Sequence, residues 1–249
     1  MTESRRILCI SDLHLSADRP DLFYAFSAFL TDTVLGDPQG KADALYILGD
    51  FFNLWIGDDD PDAFAGTVSE QLLALTNAGT DVFIMHGNRD FLLGQVFADR
   101  CEASLINDPF RLSVENQNYL LSHGDALCTR DTDYMAFRQM VRDPAWQQGF
   151  LAKPLAERQA FADEARARSK AMSSNKADDI MDVTPDEVIG LLTETGQTLL
   201  VHGHTHRPAI HDIDVAGKPG KRIVLGDWDK KGWYLELTPS GYQLIDFDI

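Results

Sequence analysis

Six short runs of apolar, β-prone residues are the feature that most restricts how this chain can fold. Each run has three to five residues and ends in a polar or glycine-bearing segment. Runs of this length and composition, bounded by turn residues, are typical of buried β-strands. The runs and the segments behind them are ILCI before SDLHL, ALYIL before GD, VFIM before HGNRD, YLLS before HGD, TLLV before HGHTH and IVL before GDW.

Helix-forming stretches separate the early strands. They run from Leu22 to Val34, from Phe64 to Asn77 and from Phe91 to Asp99. A chain that alternates strand and helix in this way predicts a layered α/β fold, with its functional loops at the strand ends. Near the C-terminus, WYLEL and YQLIDF predict further strands.

The stretch from Arg130 to Met172 differs in character from the rest of the chain. Its run LAERQAFADEARARSKAM consists mostly of good helix formers, and Pro144 and Pro154 mark the first turns of successive helices. Residues 130–176 carry nine Lys or Arg and six Asp or Glu, a net charge of +3, which leaves −20 for the remainder. We predict a single domain over residues 1–249, with a helical cap inserted at about 130–176.

Composition limits the classes of function. The chain has 249 residues, of which 44% are apolar and 24% charged, the balance of a soluble globular protein. A net charge of −17 argues against a nucleic-acid partner. No apolar run approaches the ~20 residues of a spanning helix, and the first ten residues are too weakly apolar for a signal peptide. Three scattered cysteines predict neither a disulfide framework nor a zinc cluster.

Residues that bind hard or borderline divalent cations follow five of the predicted strands. Carboxylate, amide oxygen and imidazole together suit Mn²⁺, Fe²⁺ or Zn²⁺. Seven candidate ligands exceed the needs of one ion, whereas two ions about 3.5–4 Å apart would use them all and clamp a phosphoryl group. In chain order the candidates are Asp12, His14, Asp50, Asn88, His123, His204 and His206.

Each element alone has an ordinary explanation. A GD after a strand is commonly a turn with an Asx hydrogen bond, His14 fits a loop histidine, and Asn88 after a glycine fits a left-handed turn. His202, His204 and His206 could share one face of an extended segment, although the glycine between the first two weakens that inference. Five such elements in one order, each behind an apolar run, favour the metal site.

The ordered set DxH, GD, GN, HG and GHxH resembles the calcineurin-like metallophosphoesterase superfamily. Many members have a histidine after the asparagine of the third motif, where this chain has Arg89. Together with YILGD, WIGDDD, IMDV and VHGHTHRP, that residue makes the chain closely similar to the UDP-2,3-diacylglucosamine pyrophosphohydrolase family of the lipid A pathway, from Ile7 to about Trp228. The resemblance implies a β-sandwich flanked by helices, with a helical insertion cap.

The resemblance also implies two divalent cations, with Mn²⁺ the expected metal. Asp50 would bridge them, and Asp50, Arg89 and His204 are the implied catalytic residues. His202 would have a structural or orienting role. The first ion is expected on Asp12, His14, Asp50 and His206, and the second on Asp50, Asn88, His123 and His204.

Substrate contacts follow from the same resemblance. Arg89 offers a planar fork of donors that suits a pyrophosphate. Two positions depart from the family pattern, because Ser173 stands where Asn is usual and GDFFN puts Asn53 in the acidic position of GD-L-F-E. The implied substrate-binding residues are Asn88, Arg89, Asp131, Ser169, Ser173, Lys176 and His204.

The implied reaction is hydrolysis of the pyrophosphate of UDP-2,3-diacylglucosamine to UMP and 2,3-diacylglucosamine 1-phosphate. The implied partners are the lipid-linked UDP-sugar and an anionic membrane surface, with the protein cytoplasmic and peripheral on the inner membrane, and no obligate protein partner. One alternative is a phosphodiesterase or phosphatase of the same superfamily that acts on a soluble nucleotide. An alternative of another class is a metal-free binding scaffold.

The cap is expected to enclose the two acyl chains and to present a basic rim to the membrane. The alternative is that its apolar residues only pack the insert onto the body. The apolar candidates are Tyr134, Phe137, Met140, Trp146, Phe150, Leu155, Phe161 and Met172, and the basic ones are Arg142, Lys153, Arg158, Arg166, Arg168 and Lys170.

Overall fold

The computed structural model describes residues 5–38, 40–173 and 180–249, with the side chains of 168–173 excluded. The described strands are β1 (Ile7–Ile10), β2 (Ala44–Leu48), β3 (Asp81–Met85), β4 (Ser104–Ile106), β5 (Phe110–Val114), β6 (Gln117–Ser122), β7 (Leu199–His202), β8 (Ala209–Val215), β9 (Lys218–Val224), β10 (Lys231–Thr238) and β11 (Gly241–Asp248). The described α-helices are α1 (Pro20–Ala28), α2 (Ala63–Asn77), α3 (Gln95–Arg100), α4 (Thr132–Val141), α5 (Pro144–Leu151), α6 (Leu155–Ser173) and α7 (Pro185–Thr195).

The strands form two sheets. One has six strands in the order β11-β10-β1-β2-β3-β4, and the other has five in the order β5-β6-β7-β9-β8. The pairs β1–β2, β2–β3 and β3–β4 are parallel, as are β6–β7 and β7–β9. Parallel neighbours end at the same edge of a sheet, so the loops after these strands lie side by side.

The core between the two sheets follows from the two-residue period of each strand. In β1, Ile7 and Cys9 join a buried cluster that also contains Leu121 and Val201 of the other sheet. The alternate residues of β1 instead join a cluster with α1, α2 and α3 on the outer face. Because successive side chains point to opposite faces, one strand contributes to both layers. Helix α7 covers the outer face of the five-stranded sheet through Val188 and Leu192.

This arrangement confirms the predicted layered α/β fold with two sheets and flanking helices. The helix predicted from Phe64 is α2, with the side chain of Asp62 capping it through the N–H of Phe64. The helix predicted over 22–34 is α1 followed by a π-helical turn over Phe29–Leu35. The stretch predicted from Phe91 is helical only from Gln95, because Phe91 and Leu92 form a turn and Gly94, the N-cap, has an extended backbone.

Helices α4, α5 and α6 occupy the segment where the sequence loses its strand signal. Helix α5 begins at Pro144, as predicted, and Asp143 caps it by accepting from the N–H of Trp146 at 2.8 Å. The rings of Trp146 and Phe150 stack at 4.8 Å, and Phe161 packs against both. Phe150 is 5% exposed and belongs to the core cluster of the body, so these rings attach the insert to the sheets.

The expectation that Arg158 faces a membrane is wrong. Its side chain is buried, and its guanidinium donates to the carbonyl oxygen of Ile56 at 2.6 Å and to Asp59 Oδ1 at 2.8 Å. A buried guanidinium needs such partners, since an unpaired charge away from water is costly. Arg158 therefore fastens the start of α6 to the WIGDDD loop.

The three cysteines are free and buried. Among the described residues, no helix combines the length and apolar character needed to cross a bilayer.

Candidate metal centre

The predicted ligands stand at the carboxyl ends of parallel strands from both sheets. Asp12 and His14 follow β1, Asp50 follows β2 and Asn88 follows β3 in the six-stranded sheet. In the five-stranded sheet, the remaining ligands follow β6 and β7. Contacts among their side chains show that all seven predicted ligands lie in one region.

The backbone around these residues is unusual. Asp12, His14, Asp50, His204 and His206 all have positive φ, at 58°, 50°, 50°, 65° and 55°. Non-glycine residues rarely occupy this region, and such strain persists only where the surrounding structure enforces it. Five predicted ligands thus have strained backbones, which indicates that the fold keeps their side chains in place despite the cost in backbone energy.

Two glycines, Gly87 and Gly203, allow neighbouring loops to come close to their backbones. A Cβ atom on Gly87 would lie 2.1 Å from the backbone N of Asp50. A Cβ atom on Gly203 would lie 2.2 Å from Asp12 Oδ2. Real Cβ atoms do not come this near other heavy atoms, so glycine is required at both positions.

One group of ligand atoms comes from Asp12, His14 and His206. These atoms lie within 4.8 Å of one another. The Nε2 atoms of His14 and His206 are 3.3 Å apart, and His206 Nε2 is 3.3 Å from Asp12 Oδ1. Asp12 Oδ1 and His14 Nδ1 are buried without a hydrogen-bond partner. Buried polar atoms are normally satisfied, so convergent lone pairs without donors fit a cation.

A second group comes from Asp12, Asp50 and His123, again within 4.8 Å. Asn88 Oδ1 lies 3.0 Å from His123 Nε2 and 2.7 Å from His204 Nδ1. Asp50 belongs to the second group and also approaches the first, with carboxylate oxygens 3.7 Å from His123 Nε2 and 3.9 Å from His14 Nδ1. Asp12 is the carboxylate common to both groups, and Asp50 remains the predicted bridge.

Burial and neighbouring charge determine the state of the two carboxylates. Burial penalises the charged form of Asp12, but the close approach of the His206 ring and its charge hold the pKa of Asp12 well below its usual range. Burial raises the pKa of Asp50, and the carboxylates of Asp12 and Asp90 add to that rise against the charge of His123. Crowded carboxylates in a low dielectric are stabilised by cations.

The histidines divide into two kinds. Burial and the charge of Arg89 lower the pKa of His14 to about 3, and burial and the charge of His123 lower the pKa of His204 to about 4. Both rings are therefore neutral, the form that coordinates metals. Burial also opposes the charge of His123, yet the carboxylate of Asp50 leads the effects that raise its pKa to about 9. A cation would take the place of that proton.

Arg89 stands at the exposed side of the centre. Its backbone N–H donates to Asp50 Oδ1 at 2.8 Å, and its Nε atom lies 3.5 Å from Asp50 Oδ2. Its side chain is 38% exposed, so the guanidinium can reach a ligand outside the protein.

His202 is separate from the ligand groups. Its ring is buried, with Nδ1 2.9 Å from the carbonyl oxygen of Gly203 and Nε2 3.4 Å from Arg222 Nη1. Burial and the charge of Arg222 lower the pKa of His202 to about 3. These contacts agree with the structural role expected for it.

Two carboxylates that contact the loops or ligands of the centre were missed from the sequence. Asp90 accepts from the backbone N–H groups of Phe51 and Gly87, both at 2.7 Å, and so joins the loops after β2 and β3. Asp227 Oδ2 lies 3.5 Å from His206 Nδ1, where it can orient that ring. Each follows an apolar run within a GNRD or GD segment, which is the signal that could have identified them.

The helices of the insert reach the centre through Asp125. This buried carboxylate accepts from the Tyr134 hydroxyl at 2.6 Å and from Arg138 Nε at 2.8 Å, both on α4. The Tyr134 ring lies 5.8 Å from the ring of His204. An open cavity of about 700 Å³ runs along this helix, lined by Thr129, Thr132, Met135, Ala136, Arg138, Gln139, Arg142 and Asp143.

The other predicted substrate contacts are described only in part. Asp131 caps α4 by accepting from the N–H of Tyr134 at 3.1 Å. Ser169 and Ser173 lie in α6, but their side chains are outside the description, and Lys176 lies outside the described residues altogether. All the substrate contacts named from the sequence stay predictions.

Comparison with known proteins places the chain in a family. Residues 5–208 match the calcineurin-like phosphoesterase model. A protein of Cellvibrio japonicus named UDP-2,3-diacylglucosamine hydrolase is 52% identical over 97% of this chain and 99% of its own. Proteins of the same name from Pseudomonas aeruginosa PAO1 and Pseudomonas fluorescens SBW25 are 45% and 47% identical, over 98% and 97% of this chain and 99% and 95% of theirs. With this similarity over nearly its whole length, the chain belongs to the calcineurin-like phosphoesterase family.

Proposed function

We propose that this protein hydrolyses the pyrophosphate bond of UDP-2,3-diacylglucosamine in lipid A biosynthesis, giving UMP and 2,3-diacylglucosamine 1-phosphate. The observation that carries the proposal is the convergence of two carboxylate and histidine groups at the open edge of both sheets. The names of the nearly full-length relatives supply the substrate. The family uses divalent metals, and the donor set suits Mn²⁺.

The ligand assignment is part of the proposal. The first cation would be held by Asp12, His14, Asp50 and His206, and the second by Asp50, Asn88, His123 and His204. When bound, the cations would lower the pKa of a water molecule and withdraw charge from the phosphoryl oxygens. The orphaned oxygen of Asp12 and the neutral ring of His14 support this assignment.

Arg89 would stabilise negative charge on the pyrophosphate during the reaction. Its Nε atom faces Asp50 and its Nη1 atom donates to Asn53, which leaves Nη2 to donate to a substrate oxygen. The leaving group is a phosphate and needs little protonation, which accounts for an arginine where many relatives in the superfamily carry a histidine acid. A charge-assisted donor of this kind is worth roughly 10²–10³ in rate.

The remaining substrate contacts would come from Asn88, Asp131, Ser169, Ser173, Lys176 and His204, with the cap at 130–176 over the acyl chains. The cavity beside α4 supports this placement, since most of its lining residues belong to the insert and Met135 and Ala136 give it apolar surface. The rings of Trp146, Phe150 and Phe161 pack against the core of the body, so these three residues would not line the acyl chamber. Peripheral attachment to the cytoplasmic face of the inner membrane would bring the protein to its lipid substrate.

The test is an assay of UMP release from UDP-2,3-diacylglucosamine after reconstitution with Mn²⁺. We expect turnover of this substrate and two metal ions per chain by elemental analysis. Turnover of bis(p-nitrophenyl) phosphate without any UMP release would favour a phosphodiesterase of the same family instead. Co-sedimentation with anionic and with zwitterionic vesicles tests the membrane attachment, and equal binding to both would contradict a role for basic residues.

A further inference from the structure

A side-chain hydrogen bond links Arg89 to a residue that the metal centre does not use. Arg89 Nη1 donates to Asn53 Oδ1 at 2.8 Å. Asn53 lies in the GDFFN segment after β2, three residues beyond Asp50. The contact therefore joins the loop of the predicted bridging carboxylate to the loop that carries the arginine.

The backbone of Asn53 is held firmly in place. Its N–H donates to the carbonyl oxygen of Leu15 at 3.0 Å, and the N–H of Leu15 donates to the carbonyl oxygen of Phe51 at 2.9 Å. Phe51 and Phe52 are buried, and the Phe52 ring lies 4.7 Å from that of Trp55. An acceptor on so well packed a loop has a fixed position.

The loop of Arg89 is tied to the same segment from its other side. The N–H of Trp55 donates to the carbonyl oxygen of Arg89 at 3.2 Å, and Asp90 accepts from the N–H of Phe51. The backbone of Arg89 is thus fixed relative to Asn53. What remains free to vary is the long side chain of the arginine, which loses rotamer entropy whenever it is held in one orientation.

The two contacts of the guanidinium define its orientation. Nη1 is turned toward Asn53 and Nε toward Asp50. Within the described part of the chain, Nη2 has no hydrogen-bond partner and is left for an anionic ligand. We propose that Asn53 is a positioning residue that holds the Arg89 fork for a pyrophosphate oxygen, an inference that rests on the role proposed for Arg89.

The neutral charge of Asn53 has a consequence for the arginine. The carboxylate of Asp50 already lies beside Arg89, so a second carboxylate at 53 would cancel more of the positive potential that an anionic substrate meets. An amide oxygen accepts the same hydrogen bond without that cost. Asn53 can therefore orient the guanidinium and leave more positive charge at the opening of the site than a carboxylate at position 53 would.

A double-mutant cycle with Arg89 tests the proposal. Asn53→Ala is expected to lower kcat about tenfold, the effect of losing one hydrogen bond to a charged group. In the Arg89→Ala background the same change is expected to have no further effect, because Asn53 acts through the arginine. Metal content should stay at two ions per chain in all four proteins. Asn53→Asp keeps an acceptor of the same size, so it should lose less kcat than Asn53→Ala, but its added carboxylate should raise KM for the anionic substrate.

Three results would overturn the proposal. They are an equal fold loss from Asn53→Ala in both backgrounds, an unchanged kcat, and a loss of bound metal. Asn53→Leu, which fills a similar volume without an acceptor, replaces Asn53→Ala if the smaller side chain prevents folding. Asn116→Ala, in the exposed turn between β5 and β6, is the matched control and should behave as the parental protein.

Running the cycle on two substrates separates this inference from the proposed function. UMP release from UDP-2,3-diacylglucosamine tests both, and hydrolysis of bis(p-nitrophenyl) phosphate tests the cycle alone. Cleavage of only the aryl diester would refute the lipid substrate. The role of Asn53 would still be decided on that diester, where additive losses refute it and a loss confined to the background that retains Arg89 supports it. Calorimetric affinity for methylenediphosphonate gives the same cycle without turnover, and additive losses there would also refute the positioning role.

Discussion

Single residues at the centre combine burial with charge, and that combination determines which substitutions should be costly. Asp12 and Asp50 are 0% and 2% exposed and lie near each other, which isolated carboxylates would avoid. His14 and His204 are kept neutral by burial with neighbouring positive charge. Such perturbed groups cluster at functional sites. The carboxylates therefore need cations, and the neutral imidazoles are ready to bind them.

Asp50→Ala should abolish activity, because the loss of a shared carboxylate leaves two cations repelling each other. We expect UMP release below detection and fewer than two ions per chain by elemental analysis. Asp32→Ala, which removes an exposed carboxylate, is the matched control and should retain both. Full metal occupancy in the Asp50 variant would argue against its bridging role.

His204→Ala should reduce activity far more than His202→Ala. The ring of His204 lies 2.7 Å from Asn88 in the second ligand group, whereas His202 contacts a carbonyl oxygen and Arg222. We expect His204→Ala to lose metal and His202→Ala to keep it, although the latter vacates a buried position and lowers the melting temperature. Equal losses of metal and kcat in the two variants would contradict this division of roles.

Arg89→Ala should lower turnover at least about tenfold while two metal ions remain bound. The reason is that its guanidinium contacts Asp50 from the exposed side and binds no cation. Steady-state kinetics and elemental analysis on one preparation measure both quantities. Arg111→Ala, on the exposed face of β5, is the control. Release of metal from the Arg89 variant would show that its main role is structural.

Elements of the fold bring the site together through their ends. Five strands deliver ligands from their carboxyl termini, and α4 reaches the same edge through Asp125. The start of α6 is attached elsewhere, by Arg158 to Asp59 on the WIGDDD loop. The insert is thus connected to the body beside the ligands and at the WIGDDD loop, in addition to the packing of its aromatic rings on the core.

Asp59→Ala should loosen the second attachment. Because the Asp59 side chain is 62% exposed, solvent screens the ion pair, and we expect a loss of roughly 1 kcal/mol at most and a melting temperature lower by about 2–4 °C. Thermal denaturation measures the shift. Asp60→Ala is the control and should not lower the melting temperature. Burial and the charges of Asp62 and Asp59 raise the pKa of Asp60, so removing this carboxylate relieves repulsion. A melting temperature unchanged by Asp59→Ala would contradict the attachment.

On the scale of the whole molecule, the centre connects the two sheets. One ligand group contains Asp12 and Asp50 from the six-stranded sheet and His123 from the five-stranded sheet. Bound cations would therefore oppose separation of the two layers as well as serve catalysis. Chelation should lower the melting temperature by roughly 5–10 °C if metal is present at about one hundred times its Kd. Scanning calorimetry with and without chelator, on protein of known metal content, measures the shift. A melting temperature unchanged by removal of the metal would contradict this prediction.

Much of this organisation could be predicted from the sequence because its signals are local. A buried strand needs a run of apolar residues, and a loop that presents a ligand needs a polar residue directly behind it. ILCI before Asp12 and TLLV before the histidines carry both signals in a few adjacent residues. The layered fold and the region where the ligands meet follow from those runs. The helical character of the insert is local in the same way.

Contacts between distant parts of the chain were decided by the tertiary structure alone. Arg158 reads as one of several basic residues on a helix, and only its burial against Ile56 and Asp59 shows that it is an internal attachment. Asn53 reads as a departure from a pattern until Arg89 is found 2.8 Å away. A sequence states which charges and donors exist and which local conformations they favour. Which donor meets which acceptor depends on packing across many residues, and folding settles that for the whole molecule at once.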